Sequence, residues 1–187
     1  AVEAANQSEL VIAAIGERAS MSGEDASRAD ISIPGVQEEL VQALLDTGKP
    51  VVVVLMNGRP LTISKLTEQV PAIVEGWFLG TETGNAIADV LLGKYNPSGK
   101  LTMSFPRNVG QIPVFYNYRQ SGRPGTDKLT KWTNRFIDSP VSPLYPFGYG
   151  LSYTTFSYSA PRVSQKEFST NEILKVSVDV TNTGQYD

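Results

Sequence analysis

The sequence predicts an α/β fold: a mainly parallel sheet with helices covering both faces. Three observations carry that expectation. The strand candidates are apolar at nearly every position, as parallel strands buried on both faces are. Stretches with helical periodicity and cap signals separate them. Past residue 105 this alternation stops, and past residue 154 the chain turns β-like, which predicts a second module after the α/β domain.

Taken in order, residues 1–9 are helix-like and lead at once into a strand at 10–15 (Leu-Val-Ile-Ala-Ala-Ile) that ends at Gly16. Residues 34–47 read as a helix, with Pro34 in its first turn, Gly48 just past its end, and Val36, Leu40, Val41, Leu44 and Leu45 on one face. Residues 51–56 (Val-Val-Val-Val-Leu-Met) form a second buried strand, 61–68 a short helix and 72–76 a third strand. Residues 83–92 read as a helix with Ala86, Ile87, Val90 and Leu91 turned inward, and 101–105 as a fourth strand. Open α/β sheets hold about five or six strands, so the first strands are expected upstream of residue 1.

Residues 107–152 lose helical periodicity and are rich in Pro, Gly, Ser, Asn and Tyr. Their aromatics, Phe115, Tyr116, Tyr118, Trp132, Phe136, Tyr145, Phe147 and Tyr149, are unfavourable in water and predict packing against a neighbour. Residues 174–181 alternate strictly, with Leu174, Val176, Val178 and Val180 on one face, the pattern of a sandwich strand with one wet side.

Composition narrows the chemistry. The 187 residues carry 16 Lys and Arg against 19 Asp and Glu, a net charge of −3, which disfavours nucleic acid as a partner. No apolar run approaches the roughly 20 residues of a membrane span. With no Cys and no His, disulfides, thiolate metal sites, a Cys nucleophile and a Ser–His–Asp triad are excluded within the chain. No glycine-rich phosphate loop or G-x-S-x-G elbow is present. Carboxylate, Lys, Arg, Ser and Tyr chemistry remain, with no cofactor and no metal expected.

Ligands of open parallel sheets bind outside the strands' carboxyl ends. Three segments leave such ends: 16–32, 57–59 and 76–80. The first is long for a strand-to-helix connection and holds Glu17, Glu24 and Arg28. By residue type alone Glu24 reads as a solvated loop charge before an acid catalyst. Glu17 reads as a carboxylate receiving backbone N–H bonds at the turn, and Arg28 as a surface ion-pair partner. Trp77 reads as core.

The ordered motifs then add up. Gly16-Glu17, Ser22-Gly23-Glu24 with Arg28, and Ile33-Pro34-Gly35 with Gln37 come first. Asn57-Gly58-Arg59-Pro60, Gly76-Trp77 and Tyr95-Asn96-Pro97-Ser98-Gly99-Lys100-Leu101 follow. Ser104-Phe105-Pro106-Arg107, Gly110-Gln111-Ile112-Pro113 and the run from Pro146 to Thr154 complete the set. Together they resemble the second domain of glycoside hydrolase family 3, from about residue 8 onward, and look most like its periplasmic members from Gram-negative bacteria. In that family a barrel domain precedes an α/β sandwich, and a fibronectin type III-like domain follows.

The resemblance implies a three-layer α/β/α sandwich, incomplete at its N-terminus, over 1–118. It implies an aromatic-rich inter-domain segment over 119–153 and the start of the fibronectin type III-like domain over 154–187. It further implies a retaining, exo-acting hydrolase of β-linked glucosides or xylosides, periplasmic or secreted, with β-linked oligosaccharides or aryl glucosides as substrates. Its nucleophile is an Asp on the barrel, which is the missing partner of this chain. Glu24 matches the acid/base, with Glu17 the competing assignment; Glu17 and Arg28 otherwise match groups that fix the loop. The chain alone is expected to be inactive. The alternative is a non-catalytic carbohydrate-binding or scaffold module of the same fold.

Overall fold

The computed structural model describes residues 1–120, 122–128 and 131–186. Contacts divide the chain into two compact units, Ala1–Ile87 with Lys100–Tyr149, and Ala88–Gly99 with Gly150–Asp187.

In the first unit, β1 (Val11–Gly16), β2 (Val51–Met56) and β3 (Ala72–Glu75) form a three-stranded parallel sheet in the order β1-β2-β3. The register runs from Val11 opposite Val51 to Gly16 opposite Met56, and from Val52 opposite Ala72 to Leu55 opposite Glu75. All three strands therefore end at one edge, and their exit segments start side by side. β2 is central, and its unbroken apolar run has the expected cause: Val51, Val53, Val54 and Leu55 are all buried. β1 differs from the expectation. It buries Ala13 and Ile15 on one face but leaves Ile12 and Ala14, which share the other face, exposed, so β1 is covered on one side only among the described residues.

The helices form where periodicity places them, with shifted ends. Helix α1 (Val2–Asn6) precedes β1. Helix α2 (Gln37–Leu45) starts three residues after Pro34 because Gly35, at φ 66°, makes a left-handed turn first. Gln37 then ties the helix start to the sheet. Its Oε1 accepts from Gly16 N–H at 2.8 Å, and its Nε2 donates to the carbonyls of Gly16 at 2.9 Å and Pro34 at 2.7 Å. Helix α2 buries Val41 and Leu44, and Gly48 ends it at φ 72°. Helix α3 (Ser64–Gln69) buries Leu66. On α4 (Thr83–Leu91), Ile87, Val90 and Leu91 are half-buried, while Ala86, expected inward, is exposed.

The expected fourth strand is not in the sheet. Residues 101–105 instead run beside the segment that follows Leu144. Leu101 N–H donates to Tyr149 O and Phe105 N–H to Tyr145 O, both at 2.8 Å, and Gly148 N–H returns to Leu101 O at 2.7 Å. The only bridge there, Phe105 to Tyr145, is antiparallel. The sequence Leu-Thr-Met-Ser-Phe explains the difference. It alternates, as a half-buried segment does, and lacks the continuous apolar run of β2. Phe105 is buried against Trp77, ring centroids 5.7 Å apart, and Tyr145, 6.5 Å apart; Met103 stays exposed. Trp77 thus packs against the core as expected.

The aromatics of 107–152 are less covered than their cost in water predicts. Tyr145 joins the core, but Phe115, Tyr116, Tyr118, Trp132, Phe136, Phe147 and Tyr149 are exposed. Some pair among themselves: Tyr116 stacks on Phe147 at 4.5 Å.

In the second unit, β4 (Phe156–Tyr158) pairs antiparallel with β7 (Val180–Asn182), and β5 (Arg162–Val163) with β6 (Val176–Ser177). The single strand expected over 174–181 is split at Asp179. That residue's N–H donates to Ser159 Oγ at 2.9 Å, and its carboxylate accepts two bonds from Arg162 at 2.8 Å. Val176, Val178 and Val180 are exposed and Leu174 is half-buried, so the expected dry face is largely uncovered among the described residues.

Candidate active site

The carboxyl edge of the sheet gathers the three exit segments. Gly16, at φ 134°, turns the chain out of β1 where any Cβ would collide with the Met56 carbonyl. Glu17 follows, and its N–H donates to Met56 O at 2.8 Å. The turn swings the Glu17 side chain under the loop, where it has no solvent exposure.

Four hydrogen bonds hold that carboxylate. Arg28 Nη1 donates to Oε1 at 2.7 Å, and Arg59 Nε lies 3.0 Å from the same oxygen. Gly58 N–H at 3.1 Å, Ser22 Oγ at 3.3 Å and Arg59 Nε at 3.3 Å donate to Oε2. Burial alone pushes the Glu17 carboxyl up, but the bonds from Arg28, Gly58 and Arg59 outweigh it and hold it below the usual carboxylate range. Glu17 is thus a buried anion between two cations.

The arginines carry this anchor into the loop. Arg59 Nη2 donates to the carbonyls of Met21 and, at 2.9 Å, Ala26, and to Ser22 Oγ at 3.2 Å. Arg28 Nη2 donates to Ser32 O at 3.0 Å. The loop is therefore fixed on both sides of Glu24. The third segment closes in at Gly58, where an added Cβ would sit 2.7 Å from the Phe78 ring and against Ser22 Oγ. All three exits meet at that one glycine.

Glu24 itself stands apart from Glu17 and Arg28. It is exposed, between Gly23 at φ 122° and Asp25 at φ 60°. Two residues in this region of backbone space turn the chain sharply, which makes Glu24 the tip of the loop. No described residue bonds its carboxyl.

The spacing of Glu17, Glu24 and Arg28 thus yields one close pair and one free acid. Glu17 does receive a backbone N–H at the turn, as its position predicts. Arg28 is not the exposed ion-pair partner its residue type suggests, since its side chain is only 18% exposed and half of a buried pair. Arg59 escaped sequence reasoning as a site residue. The signal was the pairing of parallel strand ends, which sets the residues after Met56 beside those after Gly16. Among the described residues no group of three or more acidic side chains could hold a metal ion.

These features define an α/β domain that presents an acid-tipped loop, braced by two arginines, at the carboxyl edge of its sheet. Comparison with known proteins gives the family. Residues 1–153 match the model of the glycosyl hydrolase family 3 C-terminal domain, and the chain belongs to that family. It is 54% identical over 99% of its length to a periplasmic beta-glucosidase of Salmonella typhimurium, and 48% identical over 99% to a beta-xylosidase of Formosa agariphila. The crystal structure of beta-glucosidase from Listeria innocua in complex with glucose superposes with a TM-score of 0.91 at 42% identity over 99% of this chain. The chain spans about a quarter of the length of these relatives, 24%, 25% and 26%.

Proposed function

We propose that this chain is part of a retaining, exo-acting β-glucosidase, or β-xylosidase, that removes terminal β-linked sugars, and that Glu24 is its general acid/base. The observation that carries this reading is the contrast between the two acids of one loop. Glu17 is enclosed, anionic and fully bonded, so it has no proton to give. Glu24 is unbonded at the loop tip, outside the strand ends where ligands of such sheets lie.

Retaining hydrolysis uses two carboxyl groups about 5–5.5 Å apart. One attacks the anomeric carbon and forms a glycosyl-enzyme. The other protonates the leaving oxygen, then takes a proton from the water that releases the sugar. In this reading Glu24 is the second group. The nucleophile is an Asp on a barrel domain outside this chain, in keeping with the share of its relatives that the chain spans. A site shared between two domains is a common arrangement for ligand pockets. Glu17, Arg28 and Arg59 hold the loop so that Glu24 reaches its partner.

The domain division belongs to the same reading: a three-layer α/β/α sandwich over 1–118, an inter-domain segment over 119–153, and a fibronectin type III-like start over 154–187. The uncovered aromatics of 115–149 suit a surface that packs on the other domains or lines the leaving-group side. A periplasmic location follows the Salmonella relative.

The test compares the whole protein with this chain alone on aryl β-glucosides and β-xylosides, with the first-formed anomer read by NMR. The whole protein is expected to release the sugar as its β-anomer, and this chain alone to release none. Hydrolysis by the isolated chain, or inversion, contradicts the reading. Binding without hydrolysis by the whole protein supports the non-catalytic module instead.

A further inference from the structure

One acid below the loop has no part in the chemistry above. Glu75 ends β3, and its Oε2 is shielded from water with no hydrogen-bond partner. Asn57, the first residue after β2, is completely buried, and its Oδ1 is likewise shielded and unpartnered. The Asn57 amide cannot be turned round to relieve this. Its Nδ2 donates to Arg59 O at 2.7 Å, and the reversed amide would set two oxygens against each other.

The register brings the two orphans together. Leu55 lies opposite Glu75, and Asn57 leaves the same end of β2 two residues on. The Asn57 side chain lies within hydrogen-bonding reach of the Glu75 carboxyl. Two buried acceptors cannot satisfy each other, and each left bare is destabilising. A single proton between them resolves both.

We propose that Glu75 is a neutral carboxylic acid that donates its proton to Asn57 Oδ1, and that this pair positions the loop bearing Glu24. Glu75 is a positioning residue and touches no substrate. The path is short. Glu75 holds Asn57, Asn57 Nδ2 holds the Arg59 carbonyl, and the Arg59 guanidinium holds Met21, Ser22 and Ala26 around Glu24. The other oxygen, Oε1, accepts the Trp77 N–H at 3.0 Å and secures that residue at φ 47°, a conformation a tryptophan seldom adopts. One acid thus fixes the second and third exit segments together.

Burial, opposed by the bond from Trp77 N–H, pushes the Glu75 carboxyl up to about 7. No arginine, lysine or second carboxylate is among the groups acting on it; Arg28 and Arg59 are engaged by Glu17. The sign follows. A folded chain that holds a proton more tightly than the unfolded one is favoured at low pH. That advantage is lost as pH rises from about 4.5 through about 7. The shared proton stands on its own; its link to Glu24 rests on the function proposed above.

The test is equilibrium unfolding of the full 187-residue chain from about pH 4.5 to 8.5, as wild type, Glu75→Gln and Glu75→Ala. A glutamine donates to Asn57 Oδ1 and accepts from Trp77 at every pH, so it mimics the neutral acid. The wild-type unfolding constant should rise by up to roughly 300-fold relative to that of Glu75→Gln as pH increases, the equilibrium counterpart of the move from 4.5 to about 7. Glu75→Ala should be weaker throughout, and glutamine should rescue it. In the whole protein, the alkaline fall in glycoside turnover attributable to Glu75 should be absent from Glu75→Gln. Parallel wild-type and glutamine profiles, or a glutamine variant that fails to fold, overturn the proposal. If the whole protein hydrolyses no glycoside, the unfolding profiles still decide the shared proton, so the two failures are told apart.

Discussion

Replacing Glu17 with glutamine removes one negative charge from between two arginines and changes almost nothing in shape. Arg28 and Arg59 are then left facing each other across a neutral amide, at the former distances of 2.7 and 3.0 Å from Oε1. Breaking a buried pair by removing one partner costs about 3–5 kcal/mol. Here the arginine side chains keep 18% and 20% exposure, so water offsets part of the loss. The expected destabilisation is about 2–4 kcal/mol. For a domain of this size each kcal/mol lowers the melting midpoint by about 2–4 °C, so a fall of about 5–15 °C is expected. The assay is a melt followed by circular dichroism at neutral pH and in acid. Because the folded Glu17 carboxyl lies below its ordinary 4.5, its contribution is present above that value and lost as pH falls through the lowered one. The gap between wild type and Glu17→Gln should therefore close on acidification. A neutral-pH difference under about 1 kcal/mol, or a gap that widens in acid, would refute the buried-anion reasoning.

Two further substitutions probe the scaffold and the loop junction. Leu55→Ala, at a fully buried position on the central strand, should destabilise the chain by about 2–5 kcal/mol in denaturant titrations, with the denaturant slope unchanged. Gly58→Ala drives a methyl into Ser22 and the Phe78 ring, where all three exit segments meet. It should cost about 1–3 kcal/mol and speed proteolysis within residues 17–30. Unchanged cleavage would separate Gly58 from the loop.

Local pattern made β2 legible, since an unbroken apolar run allows few alternatives, and it located α2, although of the face expected there Val41 and Leu44 are buried while Val36 and Leu40 are exposed. It failed at 101–105, where Leu101, Met103 and Phe105 look like a strand but alternate. Nothing local reveals that their backbone bonds go to residues beyond Leu144. It failed again at 174–181, where Asp179 is pulled out of line by Ser159 and Arg162. At the site, the turn carboxylate Glu17 was legible and its arginines were not. Arg59 lies 42 residues away, and only parallel register sets it beside the first loop. Glu75 was hidden for a related reason. A glutamate near the end of an apolar strand reads as the strand running out into solvent, and its burial depends on Asn57 and Trp77 arriving from the adjoining segments.

The role of Glu24 is decided most directly by leaving-group dependence in the whole protein. Aryl β-glucosides of graded leaving-group acidity should be compared for wild type, Glu24→Gln and Glu17→Gln. With poor leaving groups, which need a proton, Glu24→Gln should lose about 10²–10⁴-fold in rate. With leaving groups that depart unprotonated, it should lose far less in the first step. Glu17→Gln should show no such selectivity. Selective loss in Glu17→Gln, with Glu24→Gln close to wild type, would contradict the assignment of Glu24 as proton donor.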